Sequence, residues 1–159
     1  LSWLNKLKQF PNLVITQTLS KAYGMAGIRL GVCYASQEVI SVLNKIKPPY
    51  NVNELSQQKA ISRLLDFDVV QNEIIQIKKE RVQLEKELKS IDFIEKIYPS
   101  DTNFILIQVD DATKRYQQLI SNGIVIRNRT KEPLCENCLR ITVGTKAENK
   151  ALITIFKEL

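Results

Sequence analysis

A chain of 159 residues, 44% hydrophobic and 25% charged, is long enough for one domain or a piece of something larger, and too apolar to remain disordered. No apolar run approaches the roughly 18 residues of a membrane span, and Leu1-Ser2-Trp3-Leu4 shows no basic region leading into an apolar core, so neither insertion nor secretion is indicated. The net charge of +6 is scattered among acids, which argues against nucleic-acid binding, and the absence of histidine excludes Ser-His-Asp triads, Cys-His dyads and histidine metal clusters within these residues.

In chain order, residues 13–18 form a β-rich run after the Pro11-Asn12 turn signal, and residues 28–35 read as a second strand. The gap between them is too short for a parallel crossover, so the two strands are expected to run antiparallel through a glycine-bearing loop. Residues 20–27 then lie at a strand end, where open α/β sheets place their ligands. Residues 37–47 read as a helix stopped by Pro48-Pro49. Residues 54–90 turn helical, with Ile61, Leu64, Leu65, Val70, Ile74, Ile77, Leu84 and Leu88 at spacings of three, four or seven, and Asp66 to Asp68 divides them into two helices. Flanking pairs such as Glu85 with Lys89 raise a coiled-coil reading, but the run is short, and an amphipathic helix packed on a sheet explains the same pattern.

Beyond Ser90 the pattern alternates: strands at 91–97 and 103–109, a helix at 112–122 ended by Gly123, strands at 124–127 and 139–143, and a last helix to Leu159. This β-β-α-β-β-α order describes a small sheet with helices on one face.

An odd cysteine count (Cys33, Cys135, Cys138) without secretory signals points to a reducing compartment, and the cytoplasm is the expected location. Cys135-Glu136-Asn137-Cys138 has C-x-x-C spacing, yet a zinc site needs about four ligands and there is no second pair; no metal is expected, and the two read as loop thiols.

The chemistry then falls to Ser20-Lys21-Ala22-Tyr23-Gly24 and, eight residues past the lysine, Arg29. A lysine amine condenses with an aldehyde provided enough of it is unprotonated, and a neighbouring cation such as Arg29 assists. A guanidinium on the neighbouring strand would grip a phosphate with two parallel hydrogen bonds, and the hydroxyls of Thr18 and Ser20 can donate to the same oxygens. Taken alone, a Ser-Lys pair is ordinarily a surface lysine.

Here, however, Thr18 to Gly31 reads T-L-S-K-A-Y-G-M-A-G-I-R-L-G, which resembles the lysine segment of fold-type I pyridoxal-phosphate-dependent aminotransferases, nearest the histidinol-phosphate branch. Leu139-Arg140-Ile141-Thr142-Val143-Gly144-Thr145 resembles that family's C-terminal strand, Asp101-Thr102-Asn103-Phe104 its small-domain entry strand, and Ile126-Arg127 stands thirteen residues before Arg140, as in the histidinol-phosphate branch. The resemblance implies an α/β fold of fold type I: a strip of the large domain (1–50), a connecting helix (51–90) and a small α+β C-terminal domain (91–159).

It implies pyridoxal 5'-phosphate as cofactor, carried by Lys21, with its phosphate bound by Arg29, Ser20 and Thr18. Arg140, helped by Arg127, would hold the substrate's anionic end: the phosphate of histidinol phosphate or the carboxylate of glutamate. The implied reaction converts histidinol phosphate and 2-oxoglutarate to imidazole acetol phosphate and glutamate, in histidine biosynthesis, by a homodimer. The family's aspartate on the pyridine nitrogen and its cofactor tyrosine belong upstream of the lysine. The start at Leu1 instead of Met is thus read as marking an incomplete part of the enzyme, inactive by itself. Another class I/II aminotransferase or a threonine-phosphate decarboxylase shares the lysine block, and a noncatalytic basic helical interaction module is the reading from a different class.

Overall fold

Residues 2–159 are described by a computed structural model, in which the chain divides into two units, Leu1–Gln71 and Asn72–Leu159. In the first unit, β1 (Ile15–Thr18) and β2 (Gly31–Tyr34) form the expected antiparallel hairpin, with Thr18 opposite Gly31 as its last pair. Two helices follow, α1 (Gln37–Ile46) and α2 (Glu54–Leu65). Asn53 caps α2, its Oδ1 accepting from Ser56 N at 2.8 Å, which satisfies one of the amides a helix start leaves unpaired. The core here is small: Leu19, Met25 and Ala60, with Tyr23, Ile28 and Leu30 packed against it.

The break expected near Asp66 is present, since α3 begins anew at Phe67 and runs to Leu88. The apolar face expected on α2 is a different matter. Ile61, Leu64 and Leu65 are exposed (58%, 44% and 79%), whereas Ser56 and Ala60 turn inward, because the helix docks through Ala60 on Leu19 and Met25 and through Ser56 Oγ on Ile28 O.

In the second unit, β3 (Ile94–Ile97), β4 (Phe104–Val109), β5 (Arg127–Asn128) and β6 (Cys138–Thr142) form an antiparallel sheet in the order β3-β4-β6-β5. Side chains alternate across a strand, so Ile105, Ile107 and Val109 of β4 and Leu139 and Ile141 of β6 share one face, and all are buried. Onto that face pack Leu119 of α4 (Ala112–Ser121), Leu152 and Phe156 of α5 (Lys146–Glu158), and Leu84 and Leu88 of α3. Phe93 and Phe156 meet edge to face at 5.3 Å. The opposite face of β6 carries Arg140.

Helix ends follow their sequence signals. Gly123, at φ 75°, terminates α4, and the bonds Ile124 N to Leu119 O and Gly123 N to Ile120 O close its last carbonyls. Thr145 and Glu148 form a reciprocal capping box at the start of α5. The flanking charge pair sits one turn earlier than expected: Arg81 meets Glu85 at 3.7 Å. Among the described residues no helix is long and apolar enough to cross a membrane.

Candidate functional site

Past the Thr18 and Gly31 pair, the bond Leu19 N to Leu30 O (3.3 Å) carries the hairpin one step further and closes the neck of a loop. Inside it, Met25 N donates to Leu19 O (3.0 Å) and Gly24 N to Lys21 O (2.9 Å), so the chain folds back immediately after the lysine. Gly24 takes φ 67°, which a side chain there would strain. Leu19 and Met25 anchor the loop in the small core, leaving Lys21 exposed.

Arg29 was expected on the neighbouring strand. It instead precedes β2, in a left-handed conformation (φ 54°) at the end of a single 3-10 turn, because the hairpin's backbone bonding reaches only to Leu30. Its Nη1 donates to Ala26 O at 3.0 Å. Thr18 Oγ1 accepts from Ser20 N at 3.0 Å, which fixes the hydroxyl at the loop's entry. Thr18, Ser20, Lys21 and Arg29 thus all belong to the segments at the loop end of one hairpin.

Two residues that sequence reasoning missed secure this loop from α2. Ser56 Oγ donates to Ile28 O at 3.2 Å, and Arg63 Nε donates to Tyr23 O at 3.0 Å. Each partner is a backbone carbonyl many residues away, which no local motif announces. Tyr23 is half-buried against the small core, and Tyr50 is almost wholly exposed.

The second cluster lies on the sheet of the second unit. Arg127 pairs directly across from Arg140 in the β5 and β6 register, and Arg140 lies over the Phe104 ring at 5.0 Å. The Nε of Arg140 is buried and has no hydrogen-bond partner. Burial lowers its basicity, and the charges of Arg129 and Arg127 lower it further. A half-buried guanidinium crowded by like charges, with one N–H unmet, is a site that an anion would stabilise. Arg129 was missed, although its position two residues past Arg127 in an extended segment places it on the same side.

Cys135 and Cys138 span a tight turn, with Cys138 N donating to Cys135 O at 3.0 Å, and burial pushes the Cys138 thiol up from its ordinary value. Among the described residues no three His, Cys, Asp or Glu side chains converge as a metal site.

The chain, with a lysine loop at the end of a hairpin and facing arginines on a small antiparallel sheet, belongs to the aminotransferase class I and II family, which residues 3–156 match. The resemblance to the histidinol-phosphate branch is equally plain in individual relatives. The chain is 65% identical to the histidinol-phosphate aminotransferase of Flavobacterium johnsoniae over 99% of its own length and 45% of that protein's. It is 48% identical to that of Bacteroides fragilis strain YCH46, again over 99% of this chain and 46% of the relative. The chain thus spans about half the length of the curated relatives it matches.

Among solved structures, the histidinol-phosphate aminotransferase of Clostridium acetobutylicum superposes with a TM-score of 0.91 at 26% identity, over 99% of this chain and 48% of that one. The Sinorhizobium meliloti enzyme, crystallised with pyridoxal-5'-phosphate, gives 0.83 at 26% identity, over 98% and 44%.

Proposed function

We propose that this chain is part of a pyridoxal-phosphate-dependent aminotransferase that exchanges the amino group of histidinol phosphate with 2-oxoglutarate in histidine biosynthesis, working in the cytoplasm as a homodimer. The reading is supported by the backbone pairing that brings the segments of Thr18, Ser20 and Lys21 and of Arg29 to the same end of one hairpin, residue types that together make the donor set a phosphorylated aldehyde requires. Arg29 and the two hydroxyls would hold the phosphate, and the amine of Lys21 would attach the aldehyde carbon.

When bound, pyridoxal phosphate supplies the electron sink that makes a substrate α-carbon acidic. This chain's own residues contribute an amine and a set of anion-holding groups. Lys21 Nζ would be the base that takes the substrate α-proton and returns it. Ser56 and Arg63 hold the loop that carries it. Arg140 and Arg127 fix the substrate's anionic end, a task for which forked guanidinium donors suit carboxylate and phosphate alike.

Two measurements test this. Adding pyridoxal phosphate to the chain should produce an absorbance band near the visible edge that Lys21→Ala abolishes; steeply salt-dependent nucleic-acid binding with no such band would favour a noncatalytic basic module instead. In a chimaera completed with the remainder of the Flavobacterium johnsoniae relative, Arg140→Ala should lower kcat/KM for both substrates by at least about tenfold, since a hydrogen bond to a charged group contributes roughly 1.5–3 kcal/mol. Unchanged values for both substrates would refute the assignment of Arg140.

A further inference from the structure

The facing arginines have a third basic neighbour, Arg129. Arg129 N donates to Cys138 O at 2.8 Å, which continues the β5 ladder and sets Arg129 on the side of Arg127, next to Arg140. Its charge depresses the basicity of Arg140 more than that of Arg127 does. The Arg129 guanidinium is occupied: Nη1 meets Glu132 Oε1 at 3.2 Å, within a turn closed by Glu132 N to Arg129 O at 2.9 Å. The two side chains are 32% and 56% exposed, and an ion pair so wetted is weak and easily exchanged.

We propose that Arg129 is a latched third arm of the anion site, parked on Glu132 when the site is empty and turned onto the ligand by a phosphate monoester dianion, so that it ranks phosphate above carboxylate. The inference rests on reading Arg140 and Arg127 as the substrate's anion site. A carboxylate brings one charge and two oxygens with about four acceptor positions, which two forked guanidiniums can meet. A phosphate monoester brings nearly two charges and three terminal oxygens, so two arginines leave an acceptor unmet. Glu132 is itself a carboxylate. A monoanion gives Arg129 no reason to leave it, while a dianion does.

The test titrates the 159-residue chain with inorganic phosphate and, separately, with acetate, following the arginine Nε–Hε resonances by NMR. Arg129→Gln should weaken phosphate binding about tenfold, the loss of one charge-assisted contact, and acetate binding less than about twofold. Glu132→Gln should tighten phosphate binding by opening the latch. Arg129→Lys should recover only part of the loss, because an ammonium keeps the charge without the fork. Phosphate binding that depends on Arg140 but not on Arg129, or an equal loss for both anions in Arg129→Gln, overturns the inference alone. Phosphate affinity unchanged in Arg140→Ala sinks the underlying anion-site reading and this inference with it.

Discussion

Arg115, bonded through all three of its guanidinium nitrogens, shows how one residue's environment becomes a pH dependence. Only 7% exposed, it grips Asp110 through Nε (2.9 Å) and Nη2 (2.7 Å), donates from Nη1 to Leu159 O (3.1 Å), and stacks over the Phe93 ring at 4.1 Å. Hydrogen bonding to Arg115 holds the Asp110 carboxyl below its ordinary range, and the same contact raises Arg115. A carboxyl whose folded value is depressed adds stability above its unfolded value, near 4, and gives it up as pH falls through the lower folded value. Asp110→Asn should therefore cost roughly 1–2 kcal/mol at neutral pH, kept to that range by the partial exposure of Asp110. The gap to the parent chain should close below about pH 4. Urea unfolding from pH 7 to pH 2 reads both, and a gap constant across that range would mean the ion pair is not its source. None of this was readable from sequence, because Asp110 and Arg115 look like any charged pair at a helix start until Phe93 and the chain's end are seen to cover the guanidinium.

At the scale of elements the sequence was far more legible. The hairpin, the helix break at Asp66, the order of strands and helices after Ser90 and the glycine stop at 123 all rest on local chemistry: β-branched runs, periodicity, caps. What failed were the features that depend on distant partners. Ile61, Leu64 and Leu65 looked like a buried stripe and are exposed; Arg29 looked like a strand residue and sits in a turn; Ser56 and Arg63 carried no signal. Because α2 holds the lysine loop through those last two, its cap should be felt at the candidate site. Asn53→Ala removes the acceptor for Ser56 N and should cost about 1 kcal/mol of helix stability. The loosened first turn then weakens the grip of Ser56 on Ile28, so the amides of Gly24 and Met25 should exchange with solvent several-fold faster. Exchange that quickens in α2 but not in the loop would show that the loop stands on Leu19 and Met25 alone.

For the molecule as a whole, the decisive contrast is between the cores of its two units. The second buries Ile105, Ile107, Leu139, Ile141 and Phe156 almost completely between a four-stranded sheet and its helices, and fully burying each such side chain contributes roughly 1.5–3 kcal/mol. The first has a two-stranded hairpin over Leu19, Met25 and Ala60, while Ile46, Tyr50, Leu55 and Leu65 stay 72%, 96%, 78% and 79% exposed. A two-stranded sheet with so little behind it is marginal in water. Stability should accordingly be uneven: in native-state hydrogen exchange, the amides of β4 and β6 should open only with global unfolding, and those of β1 and β2 at a much lower free energy. Ile107→Ala should then cost roughly 2–5 kcal/mol in the second unit while leaving hairpin protection nearly unchanged, because the hairpin opens below the global transition already. If the hairpin amides instead lost protection in step with β4, the two units would be one cooperative structure, and the small core around Leu19 would be drawing its stability from the large one.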